Sequence, residues 1–227
     1  MRTAKTVLTV IQERGKQKKP IERVYKLLFN RELYLNAYAK LYPNNGAMTK
    51  GVTDETVDGM SIQKIDRMIE ILREEKYQWK PARREYIKKK NGKKRPLGIP
   101  VWGDKVLQEV MRQILEAYYE PQFSEHSHGF RPNRGCHTAL QEIQVWKGTR
   151  WFIEGDISQY FDTIDHKILL EILARNIHDG RFIRLVSNML EAGYLEEWKF
   201  NQTISGVPQG GVISPILANI YLNEFDN

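Results

Sequence analysis

Between Asp104 and Tyr118 the apolar residues Val106, Leu107, Val110, Met111, Ile114, Leu115 and Tyr118 recur at the three- and four-residue spacing of one helix face. A stripe that broad and that apolar must be covered from more than one side, so other elements have to pack around this segment. Asp104 stands where a cap would start the helix, and Pro121 stands where it would end. The spacing therefore predicts a central helix with the rest of the chain arranged about it.

Other elements follow from the same kind of reading. In IERVYKLLFNRELYLNAYAKLY, Val24, Leu27, Leu28, Leu33, Leu35, Tyr38 and Leu41 lie at roughly helical spacing until Pro43. Ser61 precedes Ile62, Ile65, Met68, Ile69 and Leu72 as the cap of an amphipathic helix. YIKKKNGKKRPLGIP, residues 86–100, has two extended arms about Asn91-Gly92, a pair suited to a tight hairpin turn. WFIEGDI, residues 151–157, reads as a strand with Phe152, Glu154 and Asp156 on one face. Asp165 is placed to cap the helix HKILLEIL, with Asp162 near the same turn, and Glu154 is suited to an ion pair with the basic loops. A further helix runs from Phe182 to Leu190 with Gly193 as its stop, and Ser214-Pro215 opens the last one. Alternating short strands and amphipathic helices make the fold class α+β, with small antiparallel sheets surrounded by helices.

Charge narrows the partners. The 227 residues carry 35 Lys and Arg against 28 Asp and Glu, a formal net charge of +7. The excess is clustered: Lys16, Lys18, Lys19 and Arg23 belong to one basic stretch, and KPARREYIKKKNGKKR (80–95) is another. Clustered positive charge suits a polyanion such as nucleic acid better than a small acid, the alternative being a solvated basic face. A single cysteine, Cys136, excludes an intrachain disulfide and a cysteine-based zinc site, and His126-x-His128 lacks a third ligand at metal-site spacing. No apolar region follows the basic N-terminus as in a signal peptide, and no run is long enough to span a bilayer, so a cytoplasmic, non-membrane setting is expected.

Four stretches carry more specific information: KKRPLGIP (93–100), SHGFRPNRGCHTAL (127–140), FIEGDISQYFDTIDH (152–166) and GVPQGGVISPILANIYL (206–222). In this order and spacing they resemble the reverse transcriptases, most closely the group II intron-encoded type, a maturase as well as a polymerase. GAMTKGVTDETVDGM (46–60) is similar to the extension such enzymes carry before the fingers. The resemblance implies a right-hand polymerase with a basic RNA-binding extension over 1–50, fingers over 51–105 and 164–208, and a partial palm over 106–163 and 209–227. It implies that Asp156 is the first metal-binding aspartate, with the Ile157 carbonyl as a further ligand for magnesium, two ions serving the full-length enzyme. Phe161 falls at the steric gate that selects deoxynucleotides, though by itself it reads as a buried aromatic. Arg95, with Lys88 or Lys89, matches the basic pair that grips a triphosphate, and Lys93 and Lys94 suit either that group or template backbone. Gln209 matches the glutamine beside the nucleotide sugar. Arg131 fits either the nucleotide pocket or a structural salt bridge. Implied partners are template RNA, intron RNA, a DNA primer and deoxynucleoside triphosphates, with homodimerisation through an uncovered sheet face. The family's paired aspartates lie beyond EFDN, so the chain reads as a fragment that binds RNA without polymerising. Alternatives are a retron, diversity-generating or defence-associated reverse transcriptase, or an RNA module that only binds.

Overall fold

The computed structural model describes residues 2–88, 92, 94–197, 199–207 and 210–226. Helix α1 (Ala4–Lys16) is capped by Thr3; a 3-10 turn (Val24–Phe29) and α2 (Arg31–Leu41) follow. The helical pattern expected from residue 24 to 41 is divided at Asn30, whose side chain caps α2 through the Glu32 N–H. Helix α3 (Ile62–Arg73) starts at Ser61, whose hydroxyl accepts from the Lys64 N–H, as the sequence predicts. Helix α4 (Trp102–Tyr119) is the longest and buries every residue of the predicted stripe. Further along come α5 (Cys136–Gln144), the short α6 (Tyr160–Thr163), α7 (His166–Asn176), α8 (Gly180–Leu190) and α9 (Ser214–Asp226).

Helices α1, α2 and α9 pack on α4, and one continuous apolar core runs from Ala4 to Ile220. Where α1 crosses α4 the backbones nearly touch: a Cβ at Gly15 would lie 2.1 Å from the Tyr118 carbonyl oxygen. The polar residues of α4 tie neighbouring segments to it. Asp104 accepts from the Tyr77 hydroxyl (2.7 Å) and the Lys80 N–H (3.0 Å). The Lys105 ammonium donates to the carbonyls of Gly46 and Thr49, and the buried Gln108 side chain accepts from the Val212 N–H at 2.9 Å. Asp104 is thus not the cap of α4, a position held by Val101; it sits in the first turn and fixes the segment that leads into the next sheet.

Two strands, β1 (Ile21–Glu22) and β4 (Ile177–His178), pair in parallel. The larger sheet has the order β3-β2-β5-β6, from β2 (Ala82–Lys88), β3 (Lys94–Ile99), β5 (Tyr194–Glu196) and β6 (Lys199–Asn201). β2 and β3 form the expected antiparallel hairpin, in register from Arg83↔Ile99 to Lys88↔Lys94; its Asn91 turn residue lies outside the described residues. β2 also pairs in parallel with β5, which joins the hairpin to the segment after α8.

The strand expected over 151–157 does not form. This stretch is irregular and solvent-facing, with Trp151 87%, Phe152 68% and Ile153 94% exposed. A strand exists only where its N–H and C=O groups meet a ladder partner, and no described residue supplies one here.

Two outcomes test this packing. Gly15→Ala should destabilise the protein by about 2 kcal/mol or more in urea unfolding, since backbone meets backbone and no side chain can yield. The burial of Asp104 raises its pKa to about 6, against the hydrogen bonds from Tyr77 and Lys80. In the unfolded chain this carboxyl titrates near 4, so the folded state holds the extra proton between those values. The contribution of Asp104 to stability should therefore decline as pH rises from about 4 to about 6. The stability difference between wild type and Asp104→Asn, measured by urea unfolding across that range, should show this slope.

Candidate active site

Gly206-Val207 and the YFDTID segment of 160–165 are distant in sequence, and the described backbone laces them together. The Gly206 N–H donates to the Ile164 carbonyl and the Val207 N–H to the Phe161 carbonyl, both at 2.8 Å. The Ser205 hydroxyl bonds the Asp162 carbonyl, and His166 Nε2 bonds the Gly206 carbonyl at 2.7 Å. The approach needs glycine: Gly206 has φ +86°, and a Cβ there would come within 2.8 Å of Asp162 Cα and the Phe161 oxygen. Below this contact Asp165 caps α7 through the Ile168 N–H, as the sequence predicts.

This docking closes one side of a cavity of about 930 Å³. Asp156, Ser158, Gln159, Asp162 and residues 202–207 line it together with the hairpin residues Arg84, Lys94, Arg95, Pro96 and Gly98 and with Gly193 and Tyr194. Positive and negative side chains from three separated motifs thus share one concavity, of a size that suits a nucleotide. Alternation along β2 and β3 puts Arg84, Tyr86, Lys88, Lys94 and Pro96 on one sheet face and Arg95 on the other, opposite Ile87. Lys94 lies 5.8 Å from the Tyr86 ring, and the Tyr86 hydroxyl donates to Glu196.

The predicted residues divide as follows. Asp156, Lys94 and Arg95 line the cavity. Lys88 is exposed at the outer end of β2 as the cross-strand neighbour of Lys94. Ile157 lies between the lining residues Asp156 and Ser158. Phe161 is partly buried and packs its ring edge-on against Phe130 at 6.3 Å and Tyr160 at 5.8 Å. Lys16, Lys18 and Lys19, at and just past the end of α1, and Arg23, before the 3-10 turn, are all exposed, and Lys16 pairs with Glu13. Lys93 and Gln209 lie outside the described residues.

Arg131 is elsewhere. Its side chain, 4% exposed, holds the Glu120 carboxylate and donates to the Ser124 and Ser127 carbonyls at 2.6 and 2.7 Å. It braces the loop after α4, the structural alternative, because burying a guanidinium requires filling its donors with protein acceptors. The neighbouring His126 and His128 both bond Glu142 and hold its carboxyl below the usual range, tying the loop to α5. Among the described residues no group of three or more His, Cys, Asp or Glu is placed to hold a metal. Sequence reasoning missed Arg84 and Tyr194: no motif marks them, and only the β2–β5 pairing brings them together.

A family model, reverse transcriptase (RNA-dependent DNA polymerase), matches residues 87–227. The chain is 52% identical over 206 residues to the group II intron-encoded protein LtrA of Lactococcus lactis subsp. cremoris, covering 90% of this chain and 34% of that protein. It is 47% identical over 231 residues to an uncharacterized 91 kDa protein in the cob intron of Schizosaccharomyces pombe, covering 98% of this chain and 29% of that one. A solved partial Cas6-RT-Cas1–Cas2 complex matches with a TM-score of 0.59 at 20% identity over 89% of this chain and 34% of that chain, a likeness of fold. The fold is that of a reverse transcriptase's fingers and palm region, in the α+β class. The chain belongs to the reverse transcriptase family, and within it to the group II intron-encoded reverse transcriptases and maturases. It spans about a third of the length of the curated relatives it matches.

The docking of 206–207 on 161–164 gives a paired test. Gly92 also has positive φ but open space around it, whereas Gly206 meets backbone. Gly92→Ala should cost about 1 kcal/mol and Gly206→Ala clearly more, in parallel urea titrations, because only the second adds a clash to the backbone strain.

Proposed function

We propose that this chain forms the nucleotide-selecting part of an RNA-directed DNA polymerase of a group II intron, which also binds its intron RNA as a maturase in splicing and mobility. The single observation that carries the reading is the one cavity lined by Asp156, by Lys94 and Arg95 of the hairpin and by residues 206–207. In this assignment residues 1–50 are the RNA-binding extension, 51–105 and 164–208 the fingers, and 106–163 and 209–227 part of the palm.

Asp156 fits a magnesium ligand: its carboxylate is exposed on the cavity wall, and a hard cation takes one or two carboxylates with water and phosphate oxygens completing its shell. Asp156 and the Ile157 carbonyl would hold the ion, which when bound neutralises phosphate charge and lowers the pKa of a primer hydroxyl. Lys94 and Arg95, with Lys88 at the outer end of the hairpin, supply positive charge to the triphosphate and template backbone, and Lys93 is assigned to the same role from its place in the motif. Phe161 is assigned as the sugar gate, its ring braced by Phe130 and Tyr160, and Gln209 as the residue beside the sugar. Substrates are deoxynucleoside triphosphates, a DNA primer and an RNA template, in a cytoplasmic setting.

A second reading, binding of RNA without synthesis, describes the 227-residue chain by itself, because one assigned metal carboxylate does not hold two ions. It is favoured by the exposure of Lys16, Lys18, Lys19 and Arg23. Log affinity for structured RNA should fall linearly with log salt, and charge reversal at these four residues should weaken binding and flatten the slope. Unchanged affinity and slope would remove this face from the RNA site. Primer extension on an RNA template by this chain alone should yield no product; magnesium-dependent synthesis would contradict this second reading and leave the polymerase assignment standing.

A further inference from the structure

We infer that Arg84, seated on the ring of Tyr194, is a phosphate-binding arm at the inner end of the cavity, where it takes the terminal phosphates of a nucleoside triphosphate. This rests on the nucleotide reading of the cavity and adds to it a contact that no sequence motif marks.

Arg84 and Tyr194 come from strands paired in parallel, β2 and β5, with Arg83 opposite Leu195 and Ala82 opposite Tyr194. The Arg84 guanidinium carbon stands 3.7 Å from the centre of the Tyr194 ring, a stacked cation–π contact, and both residues line the cavity. Stacking fixes the plane of the guanidinium while leaving its edge donors free. Among the described residues no carboxylate forms an ion pair with Arg84, and its Nε is buried without a hydrogen-bond partner. An arginine kept only for folding would have its donors filled, as Arg131 does with Glu120, Ser124 and Ser127. Directly across the ladder from Arg84 is Gly98, which has no side chain to fill the space opposite it. The Nε is closed to solvent, but the guanidinium as a whole lines the cavity with no described carboxylate paired to it, which points to an acceptor from outside the chain, and a planar guanidinium matches phosphate oxygens.

The position decides which phosphate. Exposure along β2 rises from buried Ala82 through half-buried Arg84 to exposed Lys88. A continuous nucleic-acid strand passing the hairpin meets its outer end, at Lys88 and Lys94. A group that reaches the root, under the docking of residues 202–207, has to be a terminus, and a triphosphate is a compact terminus of high charge. Tyr194 acts on the ligand only through Arg84 and is a positioning residue.

The test uses the 227-residue chain and three probes: magnesium dATP, inorganic tripolyphosphate, and an RNA oligomer with a 5′-hydroxyl. In calorimetric titrations Arg84→Ala should weaken dATP and tripolyphosphate about tenfold, as expected for a charged hydrogen bond, and leave the RNA within twofold. Tyr194→Leu should reproduce much of that loss, and Tyr194→Phe, which keeps the ring, should restore wild-type affinity. The double variant Arg84→Ala/Tyr194→Leu should be no weaker than Arg84→Ala. Equal dATP binding by wild type and Arg84→Ala overturns the inference while leaving the cavity reading intact. A loss confined to the RNA arm also overturns it and assigns Arg84 to a strand. Failure of wild type to bind either dATP or tripolyphosphate overturns the cavity reading and the inference with it. Thermal melts within a few degrees of wild type show that the variants are folded, and Tyr194→Phe provides the comparison if Tyr194→Leu is not.

Discussion

The burial of α4 is the constraint on which the rest of this molecule depends. Its apolar stripe takes α1, α2 and α9 onto one core, and at the α1 crossing only the missing side chain of Gly15 lets the two backbones approach. The polar residues of the same helix then decide where the functional segments go. Asp104 holds Tyr77 and Lys80 at the entry to β2, Lys105 holds the loop carbonyls of Gly46 and Thr49, and Gln108 holds the Val212 N–H after the second glycine-rich motif. A helix interior is a costly place for such groups, and each is satisfied by a backbone or side-chain partner from a distant segment. The core thus carries positional information as well as stability.

The cavity is the product of that positioning. The hairpin is set by its entry segment, residues 206–207 dock on the backbone of 161–164, and acid and base line the same cavity. Neither is a site alone. The cations of β2 and β3 would be a solvated basic edge, and Asp156 would be one exposed carboxylate on an irregular segment. Their juxtaposition is what a polyphosphate with a bound cation requires, charge of both signs held in place before the ligand arrives.

Much of this was legible in the sequence, and the division between what was and was not follows the range of the interaction. The α4 stripe, the Ser61 and Asp165 caps and the hairpin read over 86–100 depend on neighbours a few residues away, and the residue pattern states them directly, although β2 begins earlier, at Ala82. Residues 151–157 have the composition of a strand, yet a strand is a relation to a partner, and the described chain supplies none. Asp104 has the right identity for a cap and is one turn too far along; burial with Tyr77 and Lys80 determines its role instead. Arg131 and Arg84 show the same limit in opposite directions. One sits in a motif and is used up by Glu120 and loop carbonyls, whereas the other sits in a run of basic residues and keeps donors unfilled over Tyr194.

The most direct measurement of the central claim, that one cavity gathers Asp156, the 202–207 segment and the hairpin around a cation, is iron(II)-directed hydroxyl-radical cleavage with magnesium replaced and dATP present. The account predicts backbone cuts clustered near residues 94–98, 156–162 and 202–207, competed by magnesium and absent in Asp156→Asn. Cuts confined to other segments, or a pattern unchanged in Asp156→Asn, would contradict it.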